Sequence, residues 1–113
     1  MTVNIREVGG VHVVELAGEL DANTSPVAQQ QIVPLATAGS RILLDMAGVS
    51  FMSSAGLRLL LSMYRQVAGQ KGSIALTALS EDLKDTMSMT GFLSFFTTYD
   101  TTEAGLQAMQ AHS

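Results

Sequence analysis

Along the first twenty residues, apolar and polar positions alternate with the period of a strand. Val3 and Ile5 sit among polar neighbours, Gly9-Gly10 interrupts, and Val11, Val13 and Val14 lead on to Leu16. Two β-branched runs around a glycine pair predict a hairpin, because glycine reaches the positive φ that tight hairpin turns need. Gly18-Glu19-Leu20-Asp21 closes the second run. Thr24-Ser25-Pro26 then reads as a helix start, a hydroxyl cap followed by a proline that fits the first helical position. This helix is expected to carry Val27, Gln31 and Leu35 on one face and to kink or end at Pro34.

Ile42, Leu43 and Leu44 are consecutive within Arg41 to Asp45, the pattern of a strand buried on both faces. A turn is expected at Ala47-Gly48. Beyond it, Leu57, Leu60, Leu61, Tyr64 and Val67 recur at helical spacing, with Arg58, Ser62, Arg65 and Gln66 opposite them. This is the clearest helix in the chain. Ile74 to Leu76 read as a short strand, and Ser80 caps a helix with Glu81 and Asp82 in its first turn, where the helix dipole favours negative charge. Leu83 and Met87 face inward, and Gly91 ends the helix. A last strand near Thr97 to Tyr99 precedes a helix carrying Leu106 and Met109, whose cap is expected at Asp100 with Glu103 at capping-box spacing.

The predicted order is β-β-α-β-α-β-α-β-α. Strands alternating with helices imply an α/β fold: a mostly parallel central sheet of about five strands, one antiparallel edge strand from the hairpin, and about four flanking helices. At 113 residues the chain has the usual size of one domain, and residues 1–113 are read as a single one.

Composition narrows the function. The formal net charge is -4 and the six Lys and Arg residues form no run, which disfavours nucleic acid as a partner. There is no cysteine, so neither a disulfide nor a thiolate metal site is available. No apolar run reaches the length of a membrane span, and Met1-Thr2-Val3-Asn4-Ile5-Arg6-Glu7 lacks the basic-then-apolar pattern of an export signal. A cytoplasmic protein with no cofactor and no membrane insertion is expected.

Catalytic patterns are missing. There is no Gly-x-Ser-x-Gly elbow, no His-Glu-x-x-His and no phosphate-binding loop. The two histidines are His12, inside a strand, and His112, next to the end of the chain, and neither location suggests a partner for Ser54. Asp45, Asp21 and Glu19 near strand ends read as loop-capping groups rather than magnesium ligands. The expectation is a protein that is not an enzyme.

The informative segment runs from Asp45 to Leu57. It puts Ser53 and Ser54 at the start of the strongest helix, just beyond the central strand. Unpaired backbone N–H groups and the positive dipole end suit an anion there, and a phosphate on Ser54 would have Arg58 one turn onward. The plainer reading is that Ser53 or Ser54 only caps the helix.

Phe51-Met52-Ser53-Ser54-Ala55-Gly56-Leu57 resembles the signature of the STAS family, the domain of bacterial anti-anti-sigma factors and of sulfate-transporter tails. Those antagonists commonly read Phe-Met-Asp-Ser-Ser-Gly-Leu, with the first serine of the pair phosphorylated. Ser54 stands at that position, Ser53 replaces the acidic residue and Ala55 the second hydroxyl residue. Gly18-Glu19-Leu20-Asp21 matches the family's Gly-Glu-Leu-Asp loop, with Thr24 at a familiar spacing, and Met89-Thr90-Gly91-Phe92 resembles its Met-Ser-Gly-Leu segment.

The resemblance implies the STAS fold and an anti-sigma factor antagonist in a partner-switching pathway. Such a protein binds an anti-sigma factor that is itself a serine kinase, leaves it once phosphorylated, here at Ser54, and is restored by a serine phosphatase. The implied partner-binding residues are Glu19, Asp21, Thr24, Ser53, Ser54, Gly56 and Arg58. The alternative within the fold is a STAS subunit that docks, without phosphate, on the ATPase of a membrane lipid-transport complex.

Overall fold

The computed structural model describes residues 1–111; His112, singled out above, lies outside them. Strand β1 (Thr2–Val8) turns at Gly9 and Gly10, both at positive φ, into β2 (Val11–Leu20). Helix α1 (Ser25–Ile32) runs into a 3₁₀ turn at Val33–Leu35, where Pro34 ends the α-helical hydrogen bonding. Then come β3 (Arg41–Met52), α2 (Ser54–Gly69), β4 (Ser73–Thr77), α3 (Glu81–Met89), β5 (Thr97–Tyr99) and α4 (Thr102–Ala111). The sheet order is β1-β2-β3-β4-β5; β1 is antiparallel to β2 and the other pairs are parallel. This is the predicted architecture.

The two sheet faces are covered unequally. On one, α1, α2 and α3 bring Ala28, Ile32, Leu57, Leu60, Met63, Val67, Leu83 and Met87 onto Val14, Leu16, Ile42, Leu44, Met46 and Leu76. On the other, α4 alone sets Met109 against Val11, Val13, Leu43 and Ala75. Consecutive burial of Ile42, Leu43 and Leu44 follows from β3 lying between both layers.

Four expectations need correction. The buried face of α1 is Ser25, Ala28 and Ile32, which share one side of the helix at i, i+3, i+7 spacing, while Val27 and Gln31 point to solvent. Thr24 precedes α1 but makes no side-chain cap to it. No turn occurs at Ala47-Gly48: β3 continues to Met52, taking up one extra residue opposite Glu15–Ala17 and another opposite Gly18–Glu19. Gly48 serves a close approach instead, since a Cβ there would lie 2.9 Å from both the Ala17 Cβ and the Leu16 carbonyl oxygen. Finally, the α4 cap is Thr101, whose hydroxyl accepts from the Ala104 N–H at 3.1 Å, one residue later than Asp100.

Candidate functional site

The end of β3 delivers Ser53 and Ser54 to the rim of the sheet, and the structure separates their roles. Ser53 has extended backbone angles and is the N-cap of α2; its Oγ accepts from the Gly56 N–H at 3.4 Å. Its own N–H donates to the Leu20 carbonyl at 2.9 Å, which ties the helix start to the end of β2. Ser54 occupies the first helical position, is exposed, and its hydroxyl makes no hydrogen bond among the described residues. One serine performs the capping and the other is left presented to solvent.

Gly56 fixes how close these elements come. It is buried, and a Cβ there would lie 2.5 Å from the Leu20 carbonyl oxygen and 2.8 Å from the Met52 side chain. Any larger residue must push α2 off the end of β2.

The loop after β2 is held by its own side chains. The Thr24 hydroxyl accepts from the Asp21 N–H at 2.9 Å and donates to the Glu19 carbonyl at 2.7 Å. The Asp21 carboxylate accepts from the Thr24 N–H at 3.0 Å and the Asn23 N–H at 2.9 Å. Those two amides, Thr24 first and then Asn23, hold the Asp21 carboxyl below its ordinary pKa, against a smaller opposing effect of burial. Glu19 is exposed and pairs in register with Phe51 across β2 and β3. Arg58 is exposed one turn after Ser54.

Glu19, Asp21, Thr24, Ser53, Ser54 and Gly56 thus gather where β2, β3 and the starts of α1 and α2 meet, with Arg58 continuing along α2. Asp21, Thr24, Ser53 and Gly56 are engaged in holding this junction, whereas Glu19, Ser54 and Arg58 face solvent. Sequence reading did not single out Phe51, which is 53% exposed at this rim. Its signal was available in the strand period: if Met52 points inward, its neighbour points out.

His12 lies at the opposite end of the strands from Ser54, 3.7 Å from Glu7. Among the described residues no group of His, Asp and Glu is placed to hold a metal, and no helix is long and apolar enough to cross a membrane. A cleft of about 370 Å³ lined by Arg41, Ser73, Tyr99 and Met109 opens at the far end of the sheet, away from Ser54.

Comparison with known proteins agrees with this fold. The STAS domain model matches residues 2–105. The anti-sigma-B factor antagonist of Bacillus subtilis is 34% identical over 94 residues, covering 83% of this chain and 86% of that protein. An anti-sigma factor antagonist from Mycobacterium paratuberculosis superposes with a TM-score of 0.84 at 28% identity, over 95% of this chain and 92% of the other. The Bacillus cell fate determinant SpoIIAA in its phosphorylated form has the same fold, with a TM-score of 0.72 at 20% identity over 96% and 99% of the two chains. A family match over nearly all of the chain, together with the fold and these relatives, places the protein in the STAS domain family.

Proposed function

We propose that this chain acts as an anti-sigma factor antagonist in a partner-switching pathway, with residues 1–113 working as one cytoplasmic domain. Its partner is an anti-sigma factor that is also a serine kinase. The observation that carries this reading is the division of labour between Ser53 and Ser54. A phosphoacceptor must offer a free hydroxyl on a fixed backbone, and Ser54 does so because Ser53 already caps the helix.

The switch follows from charge. The kinase transfers the γ-phosphoryl group of ATP to the Ser54 oxygen, ADP leaves, and the hydroxyl proton is released. The product carries about -1.5 to -2 charges at neutral pH. The first-turn N–H groups of α2 and the Arg58 guanidinium one turn on accommodate that charge without refolding. Phosphate on a docking face repels and desolvates poorly against the kinase surface that had bound the bare serine. A serine phosphatase resets the cycle. Glu19, Ser54 and Arg58 contact the partner in this account, while Asp21, Thr24, Ser53 and Gly56 hold the surface in shape.

The test is binding of the purified unphosphorylated chain to the kinase that co-purifies with it, repeated after phosphorylation and with Ser54→Asp. Tight binding that phosphate abolishes and Ser54→Asp weakens is expected. Equal affinity of Ser54→Asp and wild type would sink the charge mechanism. Co-purification with a transporter ATPase instead would favour the constitutive docking subunit.

A further inference from the structure

The six cations of the chain are not used alike. Arg6 pairs with Glu15 at 3.3 Å, Lys84 reaches Glu81 and Asp100, and Arg41 donates to the Met109 carbonyl near the end of α4. Arg58, Arg65 and Lys71 are exposed and form no ion pair among the described residues. All three lie on α2 or just past its end, in a stretch from residue 54 to 71 that contains no Asp or Glu. The rest of the chain holds three cations against ten carboxylates. An acidic protein therefore carries one segregated basic element.

Helical spacing aligns this charge. At about 100° per residue, Ser54, Arg58, Leu61 and Arg65 fall within one narrow sector of α2, with the two guanidinium-bearing positions about 10 Å apart along the axis. Leu61 is half-buried between them and supplies an apolar contact to the strip. Ser54 stands at its upper end, where the helix dipole adds positive potential.

We propose that the outer face of α2 is a docking strip for a carboxylate-rich protein surface. Charge complementarity selects that occupant over an extended polyanion. A lipid bilayer or nucleic acid would bring many phosphates against the ten carboxylates elsewhere on the domain, whereas an acidic partner helix or ridge need meet only the strip. Phosphate on Ser54 nearly cancels the charge of the two arginines at the point where the partner's carboxylates engage, which deepens the switch proposed above. The strip itself does not depend on that switch.

The test is an NMR titration of the labelled full chain with a short helical peptide bearing glutamates on one face. Controls are the same peptide with lysines, phosphatidylglycerol vesicles and a DNA duplex. Expected are amide shifts along α2 between Arg58 and Lys71 with the glutamate peptide only, weakening as salt rises. Arg58→Glu combined with Arg65→Glu should lower that affinity about tenfold, with an unchanged circular dichroism spectrum because both residues are exposed. Absence of binding, shifts centred elsewhere, affinity indifferent to the double variant, or equal binding of vesicles or DNA to the same face overturns the proposal. A chain never phosphorylated at Ser54 would sink the switch and leave the strip standing; a titration that bypasses α2 does the reverse.

Discussion

Two helix starts meet at the same rim of this sheet, and each uses its hydroxyl residue differently. Before α2, the Ser53 hydroxyl caps the helix and leaves the next hydroxyl, Ser54, exposed. Before α1, the Thr24 hydroxyl turns back to the loop, bridging the Asp21 N–H and the Glu19 carbonyl, and the helix begins without a side-chain cap. A hydroxyl before a helix can therefore either satisfy the helix or satisfy the loop. Here the loop is fixed at one start and an exposed hydroxyl is presented at the other. The α2 start is anchored on the Leu20 carbonyl, which accepts from the Ser53 N–H and abuts Gly56.

Disrupting that anchor should have the largest effect. Gly56→Ala places a methyl group against a backbone oxygen, and overpacking of this kind costs roughly 3 kcal/mol, read as a lowered denaturant midpoint. A wild-type midpoint would mean that α2 moves away from β2 without penalty. Thr24→Val removes two loop hydrogen bonds and should cost about 1–2 kcal/mol, with faster hydrogen exchange at Asp21. Ser53→Ala removes one long cap bond and should cost about 1 kcal/mol or less, observed as fraying of the first turn of α2. If Ser53→Ala proved costlier than Thr24→Val, the two starts would have exchanged importance.

Acid sharpens the contrast, because a titrating group holds only one of the two starts. The Asp21 carboxyl has its pKa lowered in the folded chain. Its contribution is thus present above the unfolded value near pH 4 and is lost as pH falls through the lower folded value. Exchange at Asn23 and Thr24 should rise in that window while the Gly56 amide, capped by a serine, does not follow. Asp21→Asn should abolish the difference. The smallest effect is expected for Ser54→Ala, within about 0.5 kcal/mol of wild type, since an exposed hydroxyl with no partner contributes little to stability.

Much of this was legible in the sequence. Period-two runs marked the strands, and the long apolar stripe from Leu57 to Val67 marked α2. What stayed hidden was decided by close approaches between elements distant in sequence. Two adjacent serines look equivalent as caps until the Leu20 carbonyl selects Ser53 as its partner. Gly48 looks like a turn residue until Ala17 is seen beside it. Ala28 is buried while the larger Val27 is not, because only eight residues set the pattern of α1 and the side shared by Ser25, Ala28 and Ile32 turns inward. The stretch from 54 to 71 without Asp or Glu was legible in the sequence; that its three cations stay outside the ion pairs among the described residues was not.

The central claim is that Ser54 is the switch, and phosphopeptide mapping of the native protein across growth and stress conditions tests it most directly. The account predicts phosphate on Ser54 that rises and falls with condition, leaving Ser53 unmodified because its hydroxyl is engaged in the cap. A Ser54 free of phosphate in every condition, or phosphate on Ser53 instead, would contradict it.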